Sequence, residues 1–186
     1  MARSTPARRR LRRRSDLAVI RGAQAGREAD LEELFRRHWR RAYRAAYLIV
    51  HDHAAAEDIA QEAFVAAIRT LDRFDRRRPF GPWLGRIVTN RAIDWTRART
   101  ARREFDQEPQ DVPGPRASAE LGYSDELVGA LASLRPEHRA VVVMRYVLEY
   151  TPGEIARALE LPRGTVNSRL RRALDALDAQ LRELER

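Results

Sequence analysis

From Asp16 onward, apolar residues return at steps of three and four, the period of helices buried along one face. Leu17, Val19 and Ile20 mark a short first helix. Gly22 and Gly26 lead from it to a long second one, in which Leu31, Leu34, Phe35, Trp39, Ala42, Tyr43, Ala46, Tyr47 and Val50 form the stripe. His51-Asp52-His53 closes that helix. A third is expected over roughly 54–74, with Ala60, Ala63, Phe64, Ala67, Ile68 and Leu71 inward and Asp58, Gln61, Glu62, Val65 and Arg69 outward. A fourth is expected to start near Pro82, with Trp83, Leu84, Ile87, Val88 and Trp95 spaced for burial and Arg86, Asn90, Asp94 and Arg97 sharing the other side.

The pattern then breaks. Pro109, Pro113, Gly114 and Pro115 among scattered acids read as a flexible linker over 104–123. Ser124 is placed to cap a second unit, in which Leu127, Leu131 and Leu134 share a helix, Pro136 opens the next, and Val141 to Met144 with Tyr146, Val147 and Leu148 make its buried body. Thr151, with Glu154 three residues on, predicts the start of a short helix burying Ile155, Ala156 and Leu159. After a tight turn Leu161 plugs the angle, Pro162 suits the first turn of a last helix, and Val166, Leu170, Ala173, Leu174 and Leu177 repeat along its inner side. That helix runs out through Leu181 and Leu184. The fold expected is all-α: two small helical domains, 16–103 and 124–186, joined by the linker, the second containing a helix-turn-helix.

Composition adds a partner. The 186 residues carry a formal charge of +9, and all 36 basic residues are arginine, which favours a polyanion. Residues 1–15 hold seven arginines and no acid, and read as a disordered basic tail, or as an arm on phosphates. The tail lacks the apolar core of a secretory signal, and no apolar run is long enough to span a membrane, so a soluble, cytoplasmic chain is expected. With no cysteine, disulfides, thiolate nucleophiles and cysteine-ligated zinc are excluded.

Three surfaces carry candidate chemistry. On the last helix Arg163, Thr165, Asn167, Ser168, Arg171 and Arg172 point away from the apolar stripe, and no acid lies between Leu161 and Leu174. Arginine can grip guanine O6 and N7, asparagine can grip adenine, and hydroxyls reach phosphates, an inventory suited to a major groove; a solvated arginine-rich helix is the alternative. Between Arg76 and Arg103 there are nine arginines against one acid, Asp94. Arg77 and Arg78 interleaved with Phe80 and Trp83 are the mixture that holds single strands, although Trp83 also suits the core. The ridge of Asp58, Gln61 and Glu62 reads equally as a solvated face and as a dock for a basic partner. His51 and His53 near Glu57 and Asp58 raise a metal site, but four ligands with a defined outer shell are not visible. The turn residues can instead serve the end of the preceding helix, and no metal or cofactor is expected.

Two blocks carry a family resemblance. Asp58-Ile59-Ala60-Gln61-Glu62-Ala63-Phe64, continued through Phe80-Gly81-Pro82-Trp83-Leu84 to Asn90, resembles region 2 of the extracytoplasmic-function (group 4) sigma factors of bacterial RNA polymerase. Leu134-Arg135-Pro136 through Gly164-Thr165-Val166-Asn167-Ser168-Arg169-Leu170 resembles region 4, and together the match covers roughly 16–103 and 124–182. The resemblance implies a non-enzymatic initiation factor that directs core polymerase to promoters. It implies that Asp58, Gln61 and Glu62 dock on the clamp helices of the largest catalytic subunit and region 4 on the flap of the second largest. Arg77, Arg78, Trp83, Arg86, Asn90, Asp94 and Arg97 then correspond to melting and reading of the minus-10 element. Asn167, Ser168, Arg171 and Arg172 correspond to minus-35 reading, with Arg163 and Thr165 nearer the phosphates. It further implies an anti-sigma protein as partner, no membrane, and a monomer when free. The loop Arg76-Arg77-Arg78-Pro79 is more basic than the Gly-containing stretch usual in the family, which bears on base preference at the minus-10 element. The rivals are a dimeric helix-turn-helix regulator that binds duplex DNA alone and, more remotely, a metal hydrolase built on His51, His53, Glu57 and Asp58.

Overall fold

The structure, a computed structural model, describes residues 15–106 and 122–184. The amino-terminal tail and most of the expected linker lie outside these residues. Eight α-helices and one 3-10 turn occur in the described residues: α1 (Asp16–Gln24), α2 (Glu28–Val50), α3 (His53–Arg69), the turn Leu71–Arg73, α4 (Phe80–Asp106), α5 (Asp125–Ser133), α6 (Pro136–Tyr146), α7 (Pro152–Ala158) and α8 (Arg163–Leu184). Helix α4 therefore runs three residues into the stretch expected as linker.

Helix α2 is the axis of the first unit and packs on α1, α3 and α4. Alanines make this possible: Ala42, Ala45, Ala46, Ala56, Ala60, Ala63 and Ala67 are all buried. Without bulk between them the helix axes approach closely, and larger side chains are left at the rim. Phe35 and Ile68, both expected inward, are 40% and 45% exposed for this reason. The expected third helix divides because Thr70 turns back on it. Its hydroxyl donates to the Ala66 carbonyl at 2.9 Å and its amide to that of Ala67, tightening the chain into the 3-10 turn that buries Leu71 and Phe74. Helix α4 starts at Phe80, two residues ahead of Pro82, which the first turn tolerates because amides there lack intrahelical acceptors.

In the second unit α8 packs on α5, α6 and α7. The Thr151–Glu154 capping box is formed, the Glu154 amide donating to the Thr151 hydroxyl at 3.3 Å and the Thr151 amide to the Glu154 carboxylate at 2.8 Å. Pro162 stands just before α8 rather than in its first turn, its carbonyl accepting from the amides of Thr165 and Val166. Val166, Leu170, Ala173 and Leu177 are buried as expected, whereas Leu174 is 40% exposed at the edge of the stripe.

The two units touch. Helix α6 lies on α2 and α4, and α5 on α2, so the apolar core continues across the boundary. Gly85 permits the approach: a β-carbon there would stand 3.1 Å from a Leu148 methyl and 3.2 Å from the Tyr150 hydroxyl. Arg139, which no pattern in the sequence singles out, is buried at this joint. Its Nη1 donates to the Ile49 carbonyl at 2.6 Å, and its Nη2 to the carbonyls of Ala132 and Leu134 at 2.6 and 2.9 Å.

Candidate nucleic-acid interface

Helix α8 presents its polar side as expected. Arg163, Asn167, Arg171 and Arg172 are exposed, while Thr165 and Ser168 are half-buried. The Ser168 hydroxyl donates to the Thr165 carbonyl at 2.9 Å, so this side chain turns back along the helix. Among the described residues Arg163, Arg171 and Arg172 form no ion pair, leaving their guanidinium groups to outside acceptors. Helix α7 braces α8 through Ile155 and Ala156, both buried, and through the turn in which Glu160 adopts a left-handed φ of 54°.

Along α4, Trp83, Arg86, Asn90, Asp94 and Arg97 follow at steps of three and four, a track of roughly 21 Å at 1.5 Å per residue. Arg86, Asp94 and Arg97 are exposed, and Asn90 is half-buried. Trp83 is half-buried too, its ring 4.7 Å from that of Phe74 and 5.6 Å from that of Phe80, so it serves the core with one face and keeps another accessible. Arg77 and Arg78 stand exposed in the preceding loop, where Asp75 takes the Arg77 amide at 3.0 Å and its guanidinium at 3.1 Å. Hydrogen bonds from Arg77 hold the Asp75 carboxyl below its usual range. Arg97 approaches Asp94 at 4.0 Å.

On α3, Asp58, Gln61 and Glu62 are exposed and line one open groove of about 470 Å³ with Val65, Ala66, Arg69 and Arg91. Gln61 donates to Glu57 at 3.3 Å, and Arg91 to Glu62 at 2.8 Å. Arg91 comes from α4, so the ridge and the α4 track are tied at one residue that sequence reasoning passed over. Its position beside Asn90 was the available signal.

The histidines part company. His51 is the left-handed residue ending α2, with φ 53°. Its ring nitrogens are buried without a partner, and burial, with Arg139 beside it, pulls its pKa down to about 3. His53 is exposed and hydrogen-bonds through Nδ1 to the Tyr43 hydroxyl at 2.6 Å. The two rings thus serve the α2–α3 turn, and among the described residues no three His, Cys, Asp or Glu side chains stand together as metal ligands. No helix of the described residues is long and apolar enough to cross a membrane.

A helix-turn-helix whose Arg163, Arg171 and Arg172 form no ion pair among the described residues, joined to a second helical unit bearing a basic and aromatic track, is the arrangement of a two-unit protein suited to a polyanionic partner. Comparison with known proteins makes the class specific. The family model for sigma-70 region 2 matches residues 34–103 and that for sigma-70 region 4 matches residues 124–177. The ECF RNA polymerase sigma factor SigW of Bacillus subtilis is 32% identical over 170 residues, spanning 84% of this chain and 89% of SigW. SigL of Mycobacterium tuberculosis, also an ECF sigma factor, is 33% identical over 173 residues, spanning 90% of this chain and 98% of SigL. Among solved structures, CnrH in complex with the cytosolic domain of CnrY superposes with a TM-score of 0.66 at 30% identity, covering 90% of this chain and 97% of CnrH. The sigma factor RpoE of Bartonella quintana, in complex with the anti-sigma factor NepR, shares the fold with a TM-score of 0.68 at 21% identity, over 82% of this chain and 97% of RpoE. The chain belongs to the ECF sigma factors of the sigma-70 family. It is an all-α transcription initiation factor that acts at promoters, and not an enzyme.

Proposed function

We propose that this chain, as a monomer in the cytoplasm, binds core RNA polymerase and divides promoter recognition between its two units. The supporting observation is the contrast of surfaces: Arg163, Arg171 and Arg172, without an ion pair among the described residues, beside Asn167 on α8, against the mixed track of Trp83, Arg86, Asn90, Asp94 and Arg97 on α4. The α8 face reads the minus-35 element as duplex. Arg171, Arg172 and Asn167 reach base edges, with Ser168 beside them and Arg163 and Thr165 toward the phosphates. Each bidentate base contact supplies about 1–3 kcal/mol of discrimination.

The α4 track takes the minus-10 element as an opened strand. Arg77, Arg78, Arg86 and Arg97 neutralise phosphates while Trp83, Asn90 and Asp94 receive unstacked bases; unstacking costs on the order of a few kcal/mol, supplied by those contacts. Asp58, Gln61 and Glu62 form the dock for the clamp helices of the largest catalytic subunit, and the region 4 unit sits on the flap of the second largest. An anti-sigma protein that covers these surfaces is the expected inhibitor; the Bartonella RpoE was solved in complex with one, the anti-sigma factor NepR.

Binding assays with two double variants test the division. Arg171→Ala with Arg172→Ala weakens binding to a minus-35 duplex and leaves core affinity intact; Asp58→Ala with Glu62→Ala weakens core affinity and leaves minus-35 duplex binding intact. Equal loss of both activities in either variant would refute the assignment.

A further inference from the structure

The arginine-rich stretch 1–14 joins the fold at a fixed point. Ser15 caps α1, its hydroxyl accepting from the Ala18 amide at 3.3 Å, and Asp16 is held from α2 by Arg37 at 2.8 Å and by His38 Nε2 at 3.1 Å. The His38 ring also rests on the start of α4, 5.0 Å from the Phe80 ring, and a β-carbon on Gly81 would stand 3.5 Å from its Nδ1. The far end of α1 is tied down too: Gln24 donates to the Leu71 carbonyl at 2.7 Å and accepts from Arg76 at 2.6 Å. Helix α1 is thus pinned at one end to Leu71 and Arg76 and at the other, through His38, to Phe80 and Gly81. The loop carrying Arg77 and Arg78 runs between those points, and Trp83 lies with its ring 5.6 Å from that of Phe80. The stretch therefore leaves the fold beside the strand-reading end of α4.

Charge says what it can hold. Seven of the nine net positive charges of the chain lie in residues 1–15, six of them between Arg8 and Arg14, with no acid among them. Carboxylates at the root are already spent: Asp16 on Arg37 and His38, Glu33 on Arg36 and Arg37, Asp75 on Arg77 and Arg78. A polyanion from outside the chain is the better match. At no more than about 3.6 Å per residue, Arg8 to Arg14 stand within roughly 25 Å of Ser15, the length of about seven nucleotides at ~3.4 Å each.

We propose that residues 1–14 are a phosphate-gripping arm of the α4 side: the arginines from Arg8 to Arg14 hold the DNA backbone within about seven nucleotides of the minus-10 element, without reading its sequence. The arm rests on the minus-10 role given to α4 above. It adds charge at the place where Arg77 and Arg78 share one carboxylate, that of Asp75.

Core polymerase assembled with the full chain tests this on a fork template whose minus-10 strand is open. Arg8→Gln, Arg9→Gln, Arg10→Gln, Arg12→Gln, Arg13→Gln and Arg14→Gln combined keep the length of the arm and remove its charge. This variant is expected to bind the fork at least about tenfold more weakly at low salt, and its log affinity to fall less steeply with log salt by about 3–5, the value for roughly four to six phosphates at ~0.7–0.9 each. Trimming the fork to the minus-10 element itself should abolish the difference. The same positions changed to lysine should restore wild-type affinity within about twofold, since an ammonium also binds phosphate as a point charge. The chain has no cysteine, so Ala7→Cys carries a DNA-cutting iron chelate at one place. In the same complex its cuts are expected within about ten base pairs of the minus-10 element.

Equal affinity of wild type and the glutamine variant, a loss that persists on the trimmed fork, a lysine variant as weak as the glutamine one, or cuts centred on the minus-35 element each overturn the arm while leaving the promoter assignment standing. Weaker core binding by the glutamine variant overturns it as well, and gives the arm to the polymerase. If core polymerase with the wild-type chain does not bind the fork, the functional reading fails, and the arm falls with it.

Discussion

Two arginine-rich surfaces in one chain are built on opposite electrostatic plans. On α8, Arg163, Arg171 and Arg172 have no carboxylate within ion-pair reach among the described residues. Around α4, Arg77 is held by Asp75, Arg91 by Glu62 at 2.8 Å, Arg97 by Asp94, and Arg99 by Asp52 at 3.0 Å while it also lies over the Trp95 ring. The difference separates affinity from opening. The α8 face offers unspent positive charge to a duplex at once, whereas Arg77, Arg91, Arg97 and Arg99 must exchange a carboxylate for a phosphate, so net gain near α4 depends more on Trp83, Arg86 and Asn90.

The largest effect should come from removing charge where it is unspent. Arg171→Ala with Arg172→Ala is expected to cost about 2–6 kcal/mol of duplex binding if both guanidinium groups hold bases. Fluorescence anisotropy on matched and mismatched minus-35 duplexes measures this, and a uniform loss on both would reassign these arginines to phosphates. The corresponding Arg77→Ala with Arg78→Ala should cost less, because Asp75 already occupies Arg77.

The joint between the two units supplies the next effect. With its pKa near 3 in the folded chain against 6.5 when exposed, His51 stays neutral while the unfolded chain takes up a proton. Stability is therefore fully present above about pH 6.5 and declines as pH falls toward 3, with about 3 kcal/mol lost by pH 4 at 1.36 kcal/mol per pH unit. His51→Asn, a residue that tolerates the left-handed backbone, should flatten that slope. Urea denaturation of both proteins at pH 7 and pH 4 gives the difference, and parallel slopes would show that His51 is not the group responsible.

A smaller change is expected at the ridge. Asp58→Ala with Glu62→Ala should weaken core binding about tenfold, order-of-magnitude for exposed charges of about 0.2–1 kcal/mol each plus their partner contacts, with no loss of duplex binding. Since Glu62 also restrains Arg91, DNA binding by the α4 side should hold or rise slightly; titration of labelled protein with core enzyme and with a fork template separates the two. Smallest of all, Thr151→Ala removes the cap of α7 at a cost of about 1 kcal/mol, read as a lower denaturation midpoint with minus-35 discrimination retained.

How much of this was legible in the chain depended on the range of the interaction. The Thr151–Glu154 cap, the Ser124 cap of α5 and the inner stripe of α8 are set by neighbours a few residues apart, and the sequence announces them. The outward placement of Arg171, Arg172, Asp94 and Asp58 follows from the same periodicity. Ile68 and Phe35 misled because a stripe of helical period is wider than the contact that alanines actually make. Arg139 was invisible for a different reason: one arginine between His138 and Ala140 reads as a solvated position, and its burial follows from the carbonyls of Ala132 and Leu134 together with that of Ile49, far away in the chain. The small cleft lined by Asn90, Asp94 and Arg97 of α4 and by Glu160 and Arg169 of the helix-turn-helix unit has no local signature at all, because it exists only where the two units meet.

The account stands or falls on initiation by purified components. Core polymerase with this chain should produce transcripts from a template carrying both promoter elements. Disrupting the minus-35 duplex should lower binding of the closed complex, and disrupting the minus-10 strand should block opening after binding. Loss of either element with the same effect on both steps, or transcription unaffected by omitting the chain, would contradict the division of promoter reading between α8 and α4.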